Sequence, residues 1–323
     1  MRGRAADGAD NISARPHHGH IARPPRGPGS VTGMDDGDDG LKGTGELTWA
    51  SPAWLEANLG ASTVLDAQPD VHDYLEEHIP GAVRVEEGAL RAPVGGLPTA
   101  FAPPVAVSAV LRAAGVRAGA PALVYTSVGA RSARGDGLGA TYLAHALVRH
   151  GCRRVHVLDG GLERWRSEGR RVTKDLPAPR ASRFRARVRR DLLVGRAQVE
   201  SLRDRPGVLL LDTRSAQSYE GQSYLPRPGH IEGAVSLPWT TFVTDDNRSL
   251  LRPLDEIAAA ARAAGVMDAR EVIVSCGTGR TASLVFPVLR GLLGRPRVRF
   301  YEGSLADWAR EPGARMVAGR SPR

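Results

Sequence analysis

From residue 46 onward the chain alternates short, continuously apolar runs with longer stretches in which apolar residues recur at helical spacing. The runs "ALVY", "VHVL", "VLLL" and "VIVS" have the length and Val/Leu content of buried strands, whereas "TYLAHALVRHG" and "LDEIAAAARAAG" carry the helical period. This alternation predicts an α/β fold with a parallel sheet covered by helices on both faces. Residues 1–45 behave differently: they are rich in Gly, Arg, Pro, Asp and His and show no apolar period. Such a segment buries too little surface to offset ordering entropy, so it reads as a disordered extension, with "HHGH" at 17–20 a polar tail rather than a metal site. No apolar run approaches the ~20 residues of a membrane span, which excludes membrane-helix functions.

The pattern also occurs twice. "TVLDAQ" recurs as "LLLDTR", "HIPGAV" as "HIEGAV", "PALVYTSVGARSA" as "EVIVSCGTGRTAS" and "LDGGLERW" as "YEGSLADW", in the same order. That is a duplicated domain. The expected organisation is a first copy over 46–170, an extended linker over 171–192 containing "LPAPRAS", and a second copy over 193–323.

Composition changes this picture little. The chain has 323 residues, about two domains' worth, and a net charge of +9. Of its basic residues only Lys42 and Lys174 are lysines, and the arginines are spread along the chain. The densest cluster, "RASRFRARVRR" at 180–190, holds one aromatic and no groove-reading motif, so it reads as a solvated connector and not a nucleic-acid surface. Two cysteines, Cys152 and Cys276, are too few for a disulfide framework or a zinc site. They point to the cytoplasm, with no metal and no organic cofactor.

Cys276 carries the candidate chemistry. It ends the apolar strand "EVIVS" and opens the turn Cys276–Gly279, which leads into a helix beginning near Arg280 or Thr281. Ligands of open α/β sheets bind at the carboxyl ends of strands. A helix N-terminus there offers unpaired N–H groups and a partial positive charge, and Gly277 and Gly279 let those groups converge. With Arg280 beside it, a thiol in this position is favoured as the thiolate. A phosphatase loop would place its arginine six residues beyond the cysteine, where this chain has Ala282, so spacing argues against phosphoryl chemistry. A noncatalytic protein-binding module is the other alternative. Cys152, in "RHGCRRV", has no such surroundings.

In "LDAQPDVHDYLEEHIPGAV", "LDGGLERW", "LLDTR", "RPGHIEGAV", "CGTGRTA" and "YEGSLADW" the chain resembles the two-domain rhodanese sulfurtransferases over about residues 46–310. The resemblance implies a thiosulfate or 3-mercaptopyruvate sulfurtransferase, with the catalytic cysteine, Cys276, in the second domain only; Thr126 stands at its place in the first. It implies transfer from a small anionic sulfur donor through a Cys276 persulfide to cyanide or a thiol acceptor such as thioredoxin. The loop Gly277, Thr278, Gly279, Arg280 and Thr281 would cradle the persulfide, with Thr281 capping the next helix. Arg214 and Arg227 match family positions that bind the donor, and His78 matches a first-domain histidine proposed to act with an acid, Asp70 or Asp73 here, and the loop hydroxyl, here Thr278. "CGTG" is closer to the "CGSG" of mercaptopyruvate enzymes, whereas Arg280 adds a cation that would favour thiosulfate; donor preference stays open.

Overall fold

The computed structural model describes residues 40–222 and 227–322, so most of the expected extension, with its "HHGH", lies outside the described residues. Within them the strand runs form two main sheets of like design, beside two small two-stranded ones. The first has the order Leu41–Lys42, Leu47–Ala50, Val155–Leu158, Ala122–Tyr125, Thr63–Asp66, Val83–Arg84. Every pair except the first is parallel. The second is wholly parallel, in the order Val235–Ser236, Val208–Asp212, Glu271–Ser275, Val298–Phe300, and Leu193 bridges Phe300 at its far edge. Strand for strand the two orders correspond, and the interior strands are buried at nearly every position because helices cover both faces.

One boundary needs correction. Composition assigned 1–45 to the extension, but Leu41 and Lys42 pair antiparallel with Ala50 and Trp49, and the Thr44 N–H donates to the Gly291 carbonyl at 3.0 Å. The strand is only two residues long and half-buried, so no apolar period announces it.

The two copies meet through the helices that follow their equivalent loops. Leu138–Arg149 packs on Ala282–Pro287, Thr141 Oγ1 lies 3.2 Å from Ser283 Oγ, and one hydrophobic cluster runs across both copies, including Leu143, Leu147, Phe286 and Leu289. The second helix is not uniform. Pro287 has no N–H to give, and the backbone widens into a π-helical turn over Val288–Leu292. Two turn carboxylates fasten the joint. Asp159 Oδ1 accepts from the Leu251 N–H at 3.0 Å, and Glu302 accepts from His145 Nε2 at 3.0 Å and Arg149 Nε at 2.7 Å. Burial favours the neutral form of Glu302, but the His145 and Arg149 contacts outweigh it and hold its carboxyl below the ordinary range.

At the end of strand Thr63–Asp66, Asp66 accepts from the Gln68 N–H at 2.7 Å and Gln68 Nε2 at 2.9 Å with no exposure to water. Burial pushes its carboxyl from 3.8 up to about 6. A raised folded pKa means that protonation favours the fold. The stabilisation is complete below the ordinary value and is lost as pH rises through about 6. Asp66 alone should therefore lower stability by about 3 kcal/mol across that window. Asp66→Asn should flatten the decline, as measured by urea unfolding at a series of pH values.

Candidate active site

Cys276 leaves the central strand Glu271–Ser275 at its carboxyl end, 2% exposed. Its N–H donates to Ser304 Oγ at 3.0 Å, Ser304 Oγ donates to the Tyr301 carbonyl at 2.7 Å, and the Gly279 N–H donates to Cys276 Sγ at 3.1 Å. Gly279 has φ +80°, and a Cβ there would stand 3.0 Å from the Glu302 carbonyl oxygen, so the curl of the loop demands glycine. Among the described residues, the N–H groups of Gly277, Thr278, Arg280 and Thr281 donate to nothing within the chain. The loop thus carries a set of uncommitted donors beside the sulfur.

Ser304 was not singled out by sequence reading. It adopts φ +49°, a left-handed conformation costly for any residue with a Cβ, and its place in the first copy is taken by Gly161 at φ +60°. The available signal was the contrast between "YEGSLADW" and "LDGGLERW". The second copy accepts the strain and gains a hydroxyl under Cys276.

The equivalent loop of the first copy is built alike but filled. The Leu162 N–H donates to the Thr126 carbonyl at 3.0 Å, as the Leu305 N–H donates to the Cys276 carbonyl at 2.9 Å. There, however, Glu163 Oε1 accepts from Ser127 Oγ and the Val128 N–H, both at 2.7 Å, and Asp73 Oδ1 accepts from the Arg131 N–H at 2.7 Å. The chain's own carboxylates occupy the anion position. In the second copy Ala306 stands in the place of Glu163, and Ser218, before Tyr219, stands in the place of Asp73, before Tyr74. The tyrosines confirm the match: Tyr74 donates to the Ala82 carbonyl at 2.8 Å and Tyr219 to the Ala234 carbonyl at 2.7 Å. The Cys276 loop is the one without such internal carboxylates.

Several expected roles change. Arg280 is not a free cation beside the sulfur: Nε donates to Glu87 at 2.7 Å, Nη2 to Asp136 at 2.9 Å, and Nη1 also meets Asp136. Burial opposes its charge, but Asp136 and Glu87 outweigh it and hold the guanidinium above its usual range. Thr281 does not cap the helix; its hydroxyl lies 2.8 Å from Thr213 Oγ1. Arg214, 6% exposed, pairs with Asp212 at 2.6 Å and donates to the Gly229 carbonyl at 2.8 Å, leaving Nη1 buried without an acceptor among the described residues. It braces the strand end. Arg227 donates to the Glu311 carbonyl at 3.0 Å and the Ala314 carbonyl at 2.7 Å, tying down the C-terminal segment.

His78 is fully buried, stacked on Tyr74, with Nδ1 2.8 Å from the Tyr74 carbonyl and Nε2 3.1 Å from that of Asp175. His230 repeats the arrangement with the carbonyls of Tyr219 and Ser321. Asp70 caps a helix through the His72 N–H, and Asp73 is spent on the first loop. The acid–histidine–hydroxyl set is therefore not assembled, because both ring nitrogens serve the backbone. Burial pushes the Cys152 thiol up to about 12, in keeping with an inert residue.

Besides Asp136, Glu87 ties the first copy to the loop. Its Oε1 accepts from Arg91 Nε at 2.8 Å and Nη2 at 2.6 Å, its Oε2 accepts from Arg280, and Arg91 Nη1 donates to the Thr278 carbonyl at 3.3 Å. Two arginines that grip the loop thus share one carboxylate. Glu87→Gln should lower kcat/KM for sulfur transfer about tenfold, ~1.4 kcal/mol, through misplacement of the loop. Unchanged steady-state kinetics would show that the loop holds itself.

Comparison with known proteins agrees with the duplication. A rhodanese-like domain model matches residues 51–168 and again 196–311. A relative in Synechococcus elongatus, provisionally named a thiosulfate sulfurtransferase, is 37% identical over 273 residues, 81% of this chain and 83% of its own. The thiosulfate sulfurtransferase of Azotobacter vinelandii is 30% identical, covering 81% of this chain and 93% of its own. The 3-mercaptopyruvate sulfurtransferase of Escherichia coli is 29% identical, covering 73% and 82%. Among solved structures, the anaerobic ergothioneine biosynthesis enzyme of Chlorobium limicola, in complex with trimethyl histidine, shares the fold with a TM-score of 0.74 at 22% identity, covering 84% of this chain and 70% of that one. No helix among the described residues is long and apolar enough to cross a membrane. The chain belongs to the rhodanese family, with two rhodanese-like domains in tandem, and is an enzyme of the sulfurtransferase class.

Proposed function

We propose that the protein moves a sulfane sulfur from thiosulfate or 3-mercaptopyruvate to cyanide or a thiol such as thioredoxin through a persulfide on Cys276, in the reducing cytoplasm. The observation that carries this reading is the set of uncommitted N–H groups in the 277–281 loop around a sulfur that already accepts from Gly279. The Cys276 thiolate attacks the outer sulfur of the donor. A new S–S bond forms as the donor's bond to that sulfur breaks, and its electron pair leaves with sulfite or, after protonation, pyruvate. The loop N–H groups stabilise the negative charge on the terminal sulfur. Cyanide or a thiolate then takes that sulfur and returns the Cys276 thiolate.

With Arg280 paired to two carboxylates, the case for thiosulfate from its charge weakens, whereas the Thr278 hydroxyl has no partner among the described residues and supports mercaptopyruvate. The test is thiocyanate formation from each donor with cyanide, together with the intact mass after donor alone. A gain of one sulfur atom confined to the peptide containing Cys276 is the expected result. No thiocyanate from either donor would remove the proposal.

A further inference from the structure

We propose that a groove along the linker, at the amino ends of the first sheet's strands, binds a linear oligophosphate anion. Residues 181–189 form no regular strand, yet they are pinned as an extended segment. The Ser182 N–H donates to the Arg112 carbonyl at 3.0 Å, the Ala186 N–H to Ser108 Oγ at 2.9 Å, the Arg187 N–H to the His150 carbonyl at 3.0 Å, and Arg112 Nε to the Phe184 carbonyl at 2.7 Å. Burial alternates along it: Phe184 is 3% exposed and packs in the core, with Ala186 and Val188 half-buried, while Arg183, Arg185 and Arg187 are exposed. An extended chain repeats a side every ~6.6 Å, so one face presents a row of arginines at near-regular spacing.

These side chains line a cavity of about 820 Å3 together with Arg117 and Arg153 from the turns before two strands of the first sheet. It adjoins a second cavity of about 320 Å3 that shares Arg117, Ala181 and Ser182 and adds Arg180. Among the described residues no carboxylate lines either one. Several arginines elsewhere in the fold are matched: Arg149, Arg203, Arg214 and Arg280 all pair with acids. At the groove's edge Glu46 takes Arg189 at 2.7 Å and lies 3.5 Å from Arg153. Arg117, Arg180, Arg183, Arg185 and Arg187 have no ion-pair partner among the described residues. Unmatched arginines occur elsewhere too, but these five line two adjoining cavities, which concentrates uncompensated positive charge on one concavity.

Guanidinium forks suit phosphate oxygens bidentately, and a preorganised row lowers the entropy cost of holding a chain of them. The one aromatic of the segment, Phe184, is buried and offers no platform for stacking a base, so the groove recognises phosphates and not a nucleic-acid sequence. The groove lies at the amino ends of strands of the first sheet, whereas the Cys276 loop follows the carboxyl end of a strand of the second, and none of residues 276–281 lines either cavity.

The test is calorimetric titration of the full chain with sodium tripolyphosphate at about 0.15 M salt. Micromolar binding that weakens steeply with salt is expected, and the variant Arg183→Ala/Arg185→Ala/Arg187→Ala should bind at least about tenfold more weakly while retaining wild-type melting and thiocyanate turnover. Should that variant melt early, Arg185→Gln alone serves, with a smaller loss expected. ATP forms a second arm: binding equal to or tighter than tripolyphosphate would identify a nucleotide as the source of the phosphates, and weaker binding a free oligophosphate. The proposal is overturned if tripolyphosphate does not bind by millimolar concentration, if the variants bind as well as the wild type, or if polyglutamate of equal charge binds equally well.

Discussion

Cys276→Ser should give a folded protein whose thiocyanate production from either donor falls by about 10⁴ or more, ~5.5 kcal/mol of lost transition-state stabilisation. Serine fits the cavity and can still accept from the Gly279 N–H that now meets the sulfur at 3.1 Å, so the loop should keep its shape. The chemistry fails for two reasons. A hydroxyl stays protonated at neutral pH without an adjacent base, and the nearest candidate, Ser304 Oγ, is committed to the Tyr301 carbonyl at 2.7 Å. Oxygen also cannot carry a sulfane sulfur as a stable, exchangeable intermediate. The variant's melting temperature should match the wild type, and no sulfur should be gained on exposure to thiosulfate. Turnover equal to the wild type's would move the nucleophile away from Cys276.

What the sequence made legible is what depends on local pattern. The apolar runs "ALVY", "VHVL", "VLLL" and "VIVS" marked strands because burial on both faces requires them to be apolar throughout, and their repetition marked two sheets of like order. The loop after Cys276 was legible because glycines between a strand and a helix have few other uses. What stayed hidden depends on partners remote in the chain. Nothing around Arg280 reveals that Glu87 and Asp136 hold it, or around Arg227 that it reaches the carbonyls of Glu311 and Ala314. His78 carried a warning in its own repeat, since His230 occupies the same setting in the other copy with the same backbone-binding role. The most informative signal was the difference between repeats. Gly161 against Ser304 and Glu163 against Ala306 separate a loop that needs no thiol from one that serves it.

That second difference predicts a large effect from a single substitution. In the first domain Glu163 Oε1 lies 2.7 Å from the Val128 N–H, the counterpart of Thr278 N–H, and so plugs the anion position from within. Ala306 occupies the same helical position in the second domain, with its N–H donating to the Gly277 carbonyl at 2.9 Å, so Ala306→Glu should place a carboxylate on the loop amides beside Cys276. A like charge about 4 Å from the sulfur costs from ~1 kcal/mol in water-like surroundings to ~4 kcal/mol near a protein surface, which slows transfer by about fivefold to about a thousandfold. The carboxylate also competes for the N–H groups that a persulfide would use. The measurements are kcat/KM with each donor and the rate at which iodoacetamide alkylates Cys276, both of which should fall. Ala306→Gln has nearly the same volume without the charge, and it should recover much of the loss if electrostatics dominates. The reciprocal substitution, Glu163→Ala, opens the first loop where Thr126 and not a thiol awaits, and should leave turnover at the wild-type level. An Ala306→Glu enzyme with wild-type kinetics would mean that the loop N–H groups do not hold the transferring sulfur.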